Sequence, residues 1–318
     1  LVGSEMCIRD SYSTLYSFPA IMKRNAMKGS VIPVYSGLPT VLQENGYCNL
    51  FFMTHESQYD NMNAFLRTNG FDEIYAQENY PSEKVVNSFG VQDDFMYQYA
   101  LPILNERAGT GNPFFSVLLS ISNHPPYVIP PYFHPHSDVL EEQIVEYADW
   151  SIRQFMQAAE KQPWFDNTIF VFLGDHGKMV GTPECEMPQS YNHIPLMIYG
   201  KDIKPGVYDG FGGQVDVSPT LLGLLNISYL QNNFGVNLLE EERPCMFFTA
   251  DNLIGARDSV NMFIYSPDSQ QEFKYKLEEG KLRAATGTDE EAFRNLKDYC
   301  FSMLQSTESL VKEHKTLD

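Results

Sequence analysis

Two rhythms of apolar residues run through this chain. Short continuous runs bounded by turn residues read as buried strands, and stripes at helical spacing read as amphipathic helices. Residues 47–54, 113–121, 168–173 and 194–199 are runs of the first kind. Residues 38–45, closed by Gly46, and 62–68, closed by Asn69 and Gly70, have helical spacing with good stop signals. Leu140, Ile144, Tyr147, Ala148, Ile152, Phe155 and Ala159 form a longer stripe, which leads through residues 163–167 into the third strand. This alternation predicts an α/β fold: a central, mostly parallel or mixed β-sheet with helices on both faces. Toward the C-terminus, residues 273–277 alternate apolar and charged, and Glu278, Glu279 and Gly280 offer a turn before residues 281–283, so a small hairpin is predicted. Thr288 and Glu291 make a capping box that opens a last helix through Phe293, Leu296, Cys300 and Met303.

Composition narrows the classes. A hydrophobic fraction of 43% supports a packed core, and a net charge of −19 argues against nucleic acid or an anionic membrane surface as partner. It does not constrain a local site, because a bound metal reverses the potential there. No apolar run approaches the length of a membrane span and no signal peptide is visible, so a membrane anchor would lie outside this segment. The five cysteines (Cys7, Cys48, Cys185, Cys245 and Cys300) show no metal-ribbon spacing. Free thiols are the default, with a disulfide among the last four left open. The first ten residues, LVGSEMCIRD, resemble translated sequencing-adaptor sequence found at the ends of some metagenomic reading frames. Residues 1–11 are therefore set aside as a non-native scar, the alternative being a genuine disordered N-terminus.

The chemistry concentrates at strand ends. The apolar run 168–173 stops at Gly174-Asp175-His176-Gly177, where a carboxylate and an imidazole emerge at the carboxyl end of a core strand. Such a pair suits Zn, Mn or similar divalent ions, and equally an ordinary strand-end turn. His55 and His124 also follow apolar runs, and His193 precedes one. Four histidines in one context, if their strand ends share an edge, converge on a polar pocket. His134, His136 and His314 lack that context and read as loop or tail residues.

These motifs resemble the alkaline phosphatase and sulfatase superfamily. Gly174-Asp-His-Gly177 is preceded by Trp164-Phe-Asp-Asn-Thr168 and followed by His193-Ile-Pro-Leu196, and residues 214–227 match the stretch that closes that catalytic domain. Ser120-Ile-Ser-Asn-His124 followed by Pro-Pro-Tyr127, and Thr54-His55 with Asn69-Gly-Phe-Asp72, are closest to the lipoteichoic acid synthase-like branch. The resemblance implies a sulfatase-like catalytic domain over residues 12–240, without its N-terminal strand and nucleophile, and an appendage over 241–318 packed on it. It implies a divalent metal, Mn or Zn with Mg also compatible, held by Asp175 and His176, with His193 holding a second metal or touching substrate. It makes His124, His55 and Asn123 substrate-binding residues. The implied chemistry is double displacement, in which a Thr attacks phosphorus and an acceptor hydroxyl or water resolves the covalent intermediate.

Two departures bear on substrate. The family's nucleophilic Thr is expected upstream of Ser11, near Cys7, which is not promoted to that role; Ser11, Ser13 and Thr14 carry hydroxyls, with Thr14 better fitting the start of a following helix. No catalytic nucleophile is therefore assigned, and this segment is expected to be inactive by itself. The residues after His55 read Asp60-Asn-Met-Asn63, where the branch often carries a Trp and an Arg. The leading expectation is a metal-dependent phosphoryl or sulfuryl ester transferase or hydrolase acting on an anionic phospho- or sulfo-ester, foremost one that transfers a phosphoglycerol-type head group, such as that of a lipid, in cell-envelope synthesis. It is placed on the extracytoplasmic face of the bacterial cell membrane, in a protein whose full length is membrane-anchored. The alternatives are hydrolysis of sulfate or phosphate esters and, in another class, a non-catalytic metal- or ligand-binding domain.

Overall fold

The structure is a computed structural model that describes residues 4–21, 27, 32, 34–178, 181–250, 252–286 and 289–313. In chain order the elements begin with α1 (Ser4–Tyr16), α2 (Leu38–Glu44), β1 (Cys48–Met53), α3 (Met62–Thr68) and β2 (Glu73–Tyr75). Then come β3 (Val85–Asn87), β4 (Gly90–Val91), α4 (Asp93–Gly109), β5 (Phe114–Leu119) and α5 (Leu140–Ala159). They continue with β6 (Phe170–Leu173), α6 (Gln189–Asn192), β7 (Leu196–Tyr199) and α7 (Val217–Leu224). The last are β8 (Met246–Ala250), β9 (Leu253–Arg257), β10 (Asn261–Ser266), β11 (Gln271–Glu278), β12 (Lys281–Ala284) and α8 (Glu290–Glu313). The chain forms two compact units: one from residues up to Leu38, Val171–Ile198 and Lys204 onward, the other from Pro39–Phe170 and Tyr199–Ile203.

The second unit carries a parallel sheet in the order β2-β1-β5. β1 pairs with β5 from Cys48↔Phe114 to Met53↔Leu119 and with β2 from Leu50↔Glu73 to Phe52↔Tyr75. Alternate residues of β1 serve opposite faces. Leu50 and Phe52 pack with Met96, Tyr97, Ala100 and Leu104 of α4, joined by Ile152 and Phe155 of α5. On the other parity, Phe51 meets Phe71 edge-on at 5.2 Å, and Asn49 donates to the carbonyls of Pro39 and Gly70, both at 2.6 Å. A strand buried on both faces explains why residues 47–54 read as an unbroken apolar run. The α/β fold with helices on both faces is thus observed here.

α4 has no counterpart among the elements predicted above. Its apolar side chains do not keep to one stripe, and Pro102 sits inside it. The helix is held by tertiary burial instead, with Met96 and Ala100 fully buried.

In the first unit α1 includes most of the segment set aside as a scar, and Thr14 lies in its last turn instead of opening a following helix. Ser218 of α7 donates to the carbonyls of Thr14 (2.6 Å) and Leu15 (3.0 Å), which satisfies orphan acceptors at the end of α1. β6 and β7 form a two-stranded pair. Asp216, fully buried, receives Arg243 at 2.6–2.8 Å and the backbone N–H groups of Gly213 and Val236, both at 2.9 Å.

The predicted C-terminal hairpin is β11–β12, but it belongs to a five-stranded antiparallel sheet, β12-β11-β10-β9-β8. α8 covers one face through Phe293, Leu296 and Cys300 against Phe247, Ile254, Ala256 and Phe263. Cys185 and Met187 pack on the other face with Met262, Ile264 and Leu282. Cys48, Cys185, Cys245 and Cys300 are free thiols. Thr288 and His314 lie outside the described residues, as does the side chain of Cys7.

Candidate functional site

The turn after β6 is shaped by close backbone approach. The Gly177 N–H donates to the Tyr191 carbonyl at 2.8 Å, and a Cβ added at Gly177 would lie 2.1 Å from the Ser190 carbonyl oxygen. Gly174 N–H donates to Pro195 O at 3.3 Å, tying the turn to the chain that enters β7. Between these glycines, Asp175 Oδ1 accepts the His176 N–H at 2.8 Å, and Gln214 Nε2 donates to the Asp175 carbonyl at 2.6 Å. The His176 ring stacks on Tyr191 with centroids 5.2 Å apart.

His176 Nδ1 is 2.9 Å from the Gly177 carbonyl, which requires Nδ1 to carry the proton and puts the lone pair on Nε2. Nε2 stands 3.7 Å from Asp175 Oδ2. Asp10 of α1 joins them: one ligand-type atom each from Asp10, Asp175 and His176 lies within 4.8 Å of the others. Two carboxylate oxygens and an imidazole nitrogen, all half-buried, are a donor set that suits Mn, Zn or Mg. His193, at the end of α6 with its N–H on Gln189 O (2.8 Å), is outside that group. Asp10 falls in the segment set aside from the sequence, and no pattern in the sequence pointed to it. Gln214 lay inside a matched motif but with no role attached to it.

His55, Asn123 and His124 belong to the second unit. His55 follows β1 directly and is buried, and its Nδ1 is 3.0 Å from the Glu56 carbonyl. Burial holds its imidazole below the ordinary pKa, against weaker opposing effects of Glu78, Asp60 and Glu56. His124 closes a turn in which its N–H donates to Ile121 O at 2.8 Å; its Nδ1 is 2.7 Å from the Pro125 carbonyl, and its ring lies on Phe89 at 4.4 Å. Asn123 beside it is exposed. His55, His124 and His176 thus share one local device: each bonds through Nδ1 to the carbonyl of the next residue, so each presents Nε2. Among the described residues, the structure gathers Asp175 and His176 with Asp10 in one cluster.

The family model for sulfatases matches residues 1–227, well over half of the chain. The chain belongs to the sulfatase family. Among related proteins, this sulfatase-family chain is 24% identical over 283 residues to lipoteichoic acid synthase 1 of Bacillus subtilis, covering 78% of this chain and 42% of that protein. It is 25% identical over 251 residues to phosphoglycerol transferase I of Xanthomonas campestris, covering 75% and 36%. The chain therefore spans about two fifths of the length of the curated relatives it matches. Among solved structures, a protein of the alkaline phosphatase superfamily from Vibrio parahaemolyticus superposes with a TM-score of 0.85 at 25% identity, over 96% of this chain and 76% of that one. The lipoteichoic acid synthase LtaP of Listeria monocytogenes has the same fold, with a TM-score of 0.80 at 23% identity over 96% and 80%. Among the described residues, no helix is long and apolar enough to cross a membrane.

Proposed function

We propose that this protein transfers a phosphoglycerol-type head group in cell-envelope synthesis, as a metal-dependent enzyme of the sulfatase family. The observation that carries the reading is the cluster of Asp175, His176 and Asp10, whose donor atoms fall within 4.8 Å at the end of β6. Asp175 and His176 would hold the divalent ion, with Asp10 completing the set in this chain and His193 serving a second ion or the substrate. A bound ion supplies Lewis acidity toward an ester oxygen. His124 and His55 would contact the phosphate through Nε2, as donors when that nitrogen also carries a proton, their rings oriented by the Nδ1 hydrogen bonds, and Asn123 adds an amide contact. The name of the Xanthomonas relative, phosphoglycerol transferase I, supports phosphoglycerol as the substrate class, and that of the Bacillus relative supports a role in lipoteichoic acid synthesis. The natural full-length protein, on this reading, is membrane-anchored with this domain outside the cytoplasm.

A second reading, hydrolysis of a sulfate or phosphate ester, is favoured by one observation. The residues that follow His55 offer no cation for a glycerophosphate: Asp60 and Asn61 form a left-handed kink, and Arg67 on α3 is engaged by Asn63 (3.1 Å) and the Asp72 carbonyl (3.4 Å).

No residue here matches the family's nucleophile, so the chain as it stands is expected to bind Mn²⁺ weakly and to turn over no diester. The test uses a protein in which upstream sequence replaces residues 1–9 and Asp10 is kept. Mn²⁺ binding by calorimetry and glycerophosphate release from phosphatidylglycerol vesicles should both be lost in Asp175→Ala. Unchanged binding and release in that variant overturn the site. Cleavage of p-nitrophenyl sulfate with no release from the vesicles selects hydrolysis.

A further inference from the structure

The segment that carries Asn123 and His124 has no secondary structure of its own between β5 and α5, yet it is tied down at several points by three consecutive residues at the start of α4. Asp93 is buried, and its Oδ1 accepts the backbone N–H groups of Ile121 (2.9 Å) and Ser122 (3.0 Å). Its own N–H donates to Ser122 Oγ at 3.1 Å, and that hydroxyl donates to Gln92 Oε1 at 3.0 Å. Gln92 Nε2 then reaches the Val128 carbonyl at 2.9 Å. Asp94, next along, accepts from Tyr132 Oη at 2.9 Å and from Tyr147 Oη at 2.5 Å, which fixes the far end of the same segment against α5.

We propose that Asp93 is a positioning residue for the Asn123–His124 turn, its carboxylate setting the Ile121 and Ser122 amides from which that turn starts. The geometry is specific. The turn closes by the His124 N–H on the Ile121 carbonyl, so the two amides gripped by Asp93 open the turn whose last residue is His124. A buried carboxylate accepting backbone N–H groups forms the stronger, charge-assisted kind of hydrogen bond. Removing it leaves two amide donors with no acceptor, and such groups are costly when enclosed. On its other side His124 has its Nδ1 on the Pro125 carbonyl (2.7 Å) and ring contact with Phe89, and Asn87 Nδ2 donates to the Pro126 carbonyl (3.2 Å). Asp93 therefore fixes the backbone from which the His124 ring projects, while the Nδ1 bond to the Pro125 carbonyl orients the ring itself. This assignment rests on the reading of His124 as a phosphate-binding residue for its consequence in function, but not for its structural content.

The experiment reads the two separately in the intact chain. Amide hydrogen exchange at Ile121 and Ser122 and the His124 ring resonances report the position of the turn, and titration with inorganic phosphate reports binding. Asp93→Ala should speed exchange at both amides by about tenfold or more and move the His124 ring resonances. It should also weaken the phosphate-induced shift of His124 several-fold. Asp93→Asn, which keeps one acceptor oxygen, should restore most of each readout. If Asp93→Ala does not fold, Asp93→Ser, which shortens the side chain and withdraws the carboxylate, replaces it and should give the same changes at about threefold or more. Wild-type exchange and wild-type His124 resonances in Asp93→Ala, or in Asp93→Ser where that variant is used, overturn the proposal. If the amides and the ring respond as expected while phosphate moves no His124 resonance even in the wild type, the positioning role stands and the phosphate-binding reading of His124 falls.

Discussion

The turn after β6 and the turn after β5 both present a histidine at the end of a strand, and both bond its Nδ1 to the next residue's carbonyl. They differ in what holds them. The Asp175–His176 turn is fixed mainly by backbone packing, with Gly177 pressed on the Ser190 carbonyl and Gly174 tied to Pro195, joined by Gln214 Nε2 on the Asp175 carbonyl, and Asp175 and His176 turn their polar atoms toward one another. The Asn123–His124 turn is fixed by side chains, with Asp93, Gln92 and Asn87 gripping its backbone. On the proposed reading, backbone packing leaves the side chains of Asp175 and His176 to face a cation, whereas a single imidazole can be aimed from a buried carboxylate anchor, at the cost of depending on a residue far away in sequence.

The sharpest way to break this comparison is to add a methyl group to each scaffold. Gly90 has φ of +92°, and a Cβ there would stand 1.7 Å from the carbonyl oxygen of Thr54, immediately before His55. Gly90→Ala combines that clash with a backbone conformation that L residues avoid, and should lower stability by about 3 kcal/mol or more. Gly177→Ala clashes only with the Ser190 carbonyl and should lower stability by about 2 kcal/mol. Urea midpoints check both values. Histidine ring resonances check the locality: Gly177→Ala should move His176 and spare His55 and His124, and Gly90→Ala should do the reverse. Equal movement of all three rings in either variant removes the distinction between the two scaffolds.

The same contrast explains what could be read from the sequence. β1 was legible because a strand buried on both faces leaves an unbroken apolar run, while β5 and β6, which are half-buried, keep the same unbroken run, and the glycines around Asp175 and His176 marked the abrupt turn that exposes them. α4 was not legible, because its apolar residues surround the helix and Pro102 interrupts the pattern. β8, β9 and β10 escaped for a different reason: their pairing is set by antiparallel registers such as Phe263↔Ala256, which local patterning does not encode. Asp93 and Asp10 were missed because each is an acid whose partners lie far along the chain. The Ile121 and Ser122 amides are 28 and 29 residues from Asp93, and no local spacing signals a carboxylate that bonds to backbone.

A smaller effect separates the two histidines of the second unit. Burial holds His55 below its ordinary pKa of 6.5, so between that value and the folded pKa the unfolded chain binds a proton that the folded protein does not. Stability should therefore fall as pH drops below about 6.5, by at most about 1.4 kcal/mol per pH unit, and the loss should level off below the folded pKa. His55→Gln should flatten this acid limb when urea midpoints are compared from pH 7 to pH 5. An unchanged slope would assign the proton uptake to another group.

The smallest effect belongs to a histidine that lies away from any strand end. His136 is 97% exposed; its Nδ1 and its backbone N–H both reach Glu146 Oε2, at 3.0 and 2.7 Å, while Ser137 N–H takes Oε1 at 3.0 Å. Glu146 therefore holds this loop mainly through backbone donors, and these bonds depress its own pKa. Removing the His136 ring leaves both backbone bonds in place and deletes only a solvent-screened pair, so His136→Ala should shift Tm by no more than about 1 °C. Glu146→Ala loses all three bonds at once and should free the loop, read as faster exchange at the His136 and Ser137 amides. The two variants together test whether a histidine needs a strand end and an anchored turn to be part of the chemistry. If His136→Ala altered the phosphate response of His124, strand-end placement would no longer separate the histidines proposed for the site from surface ones.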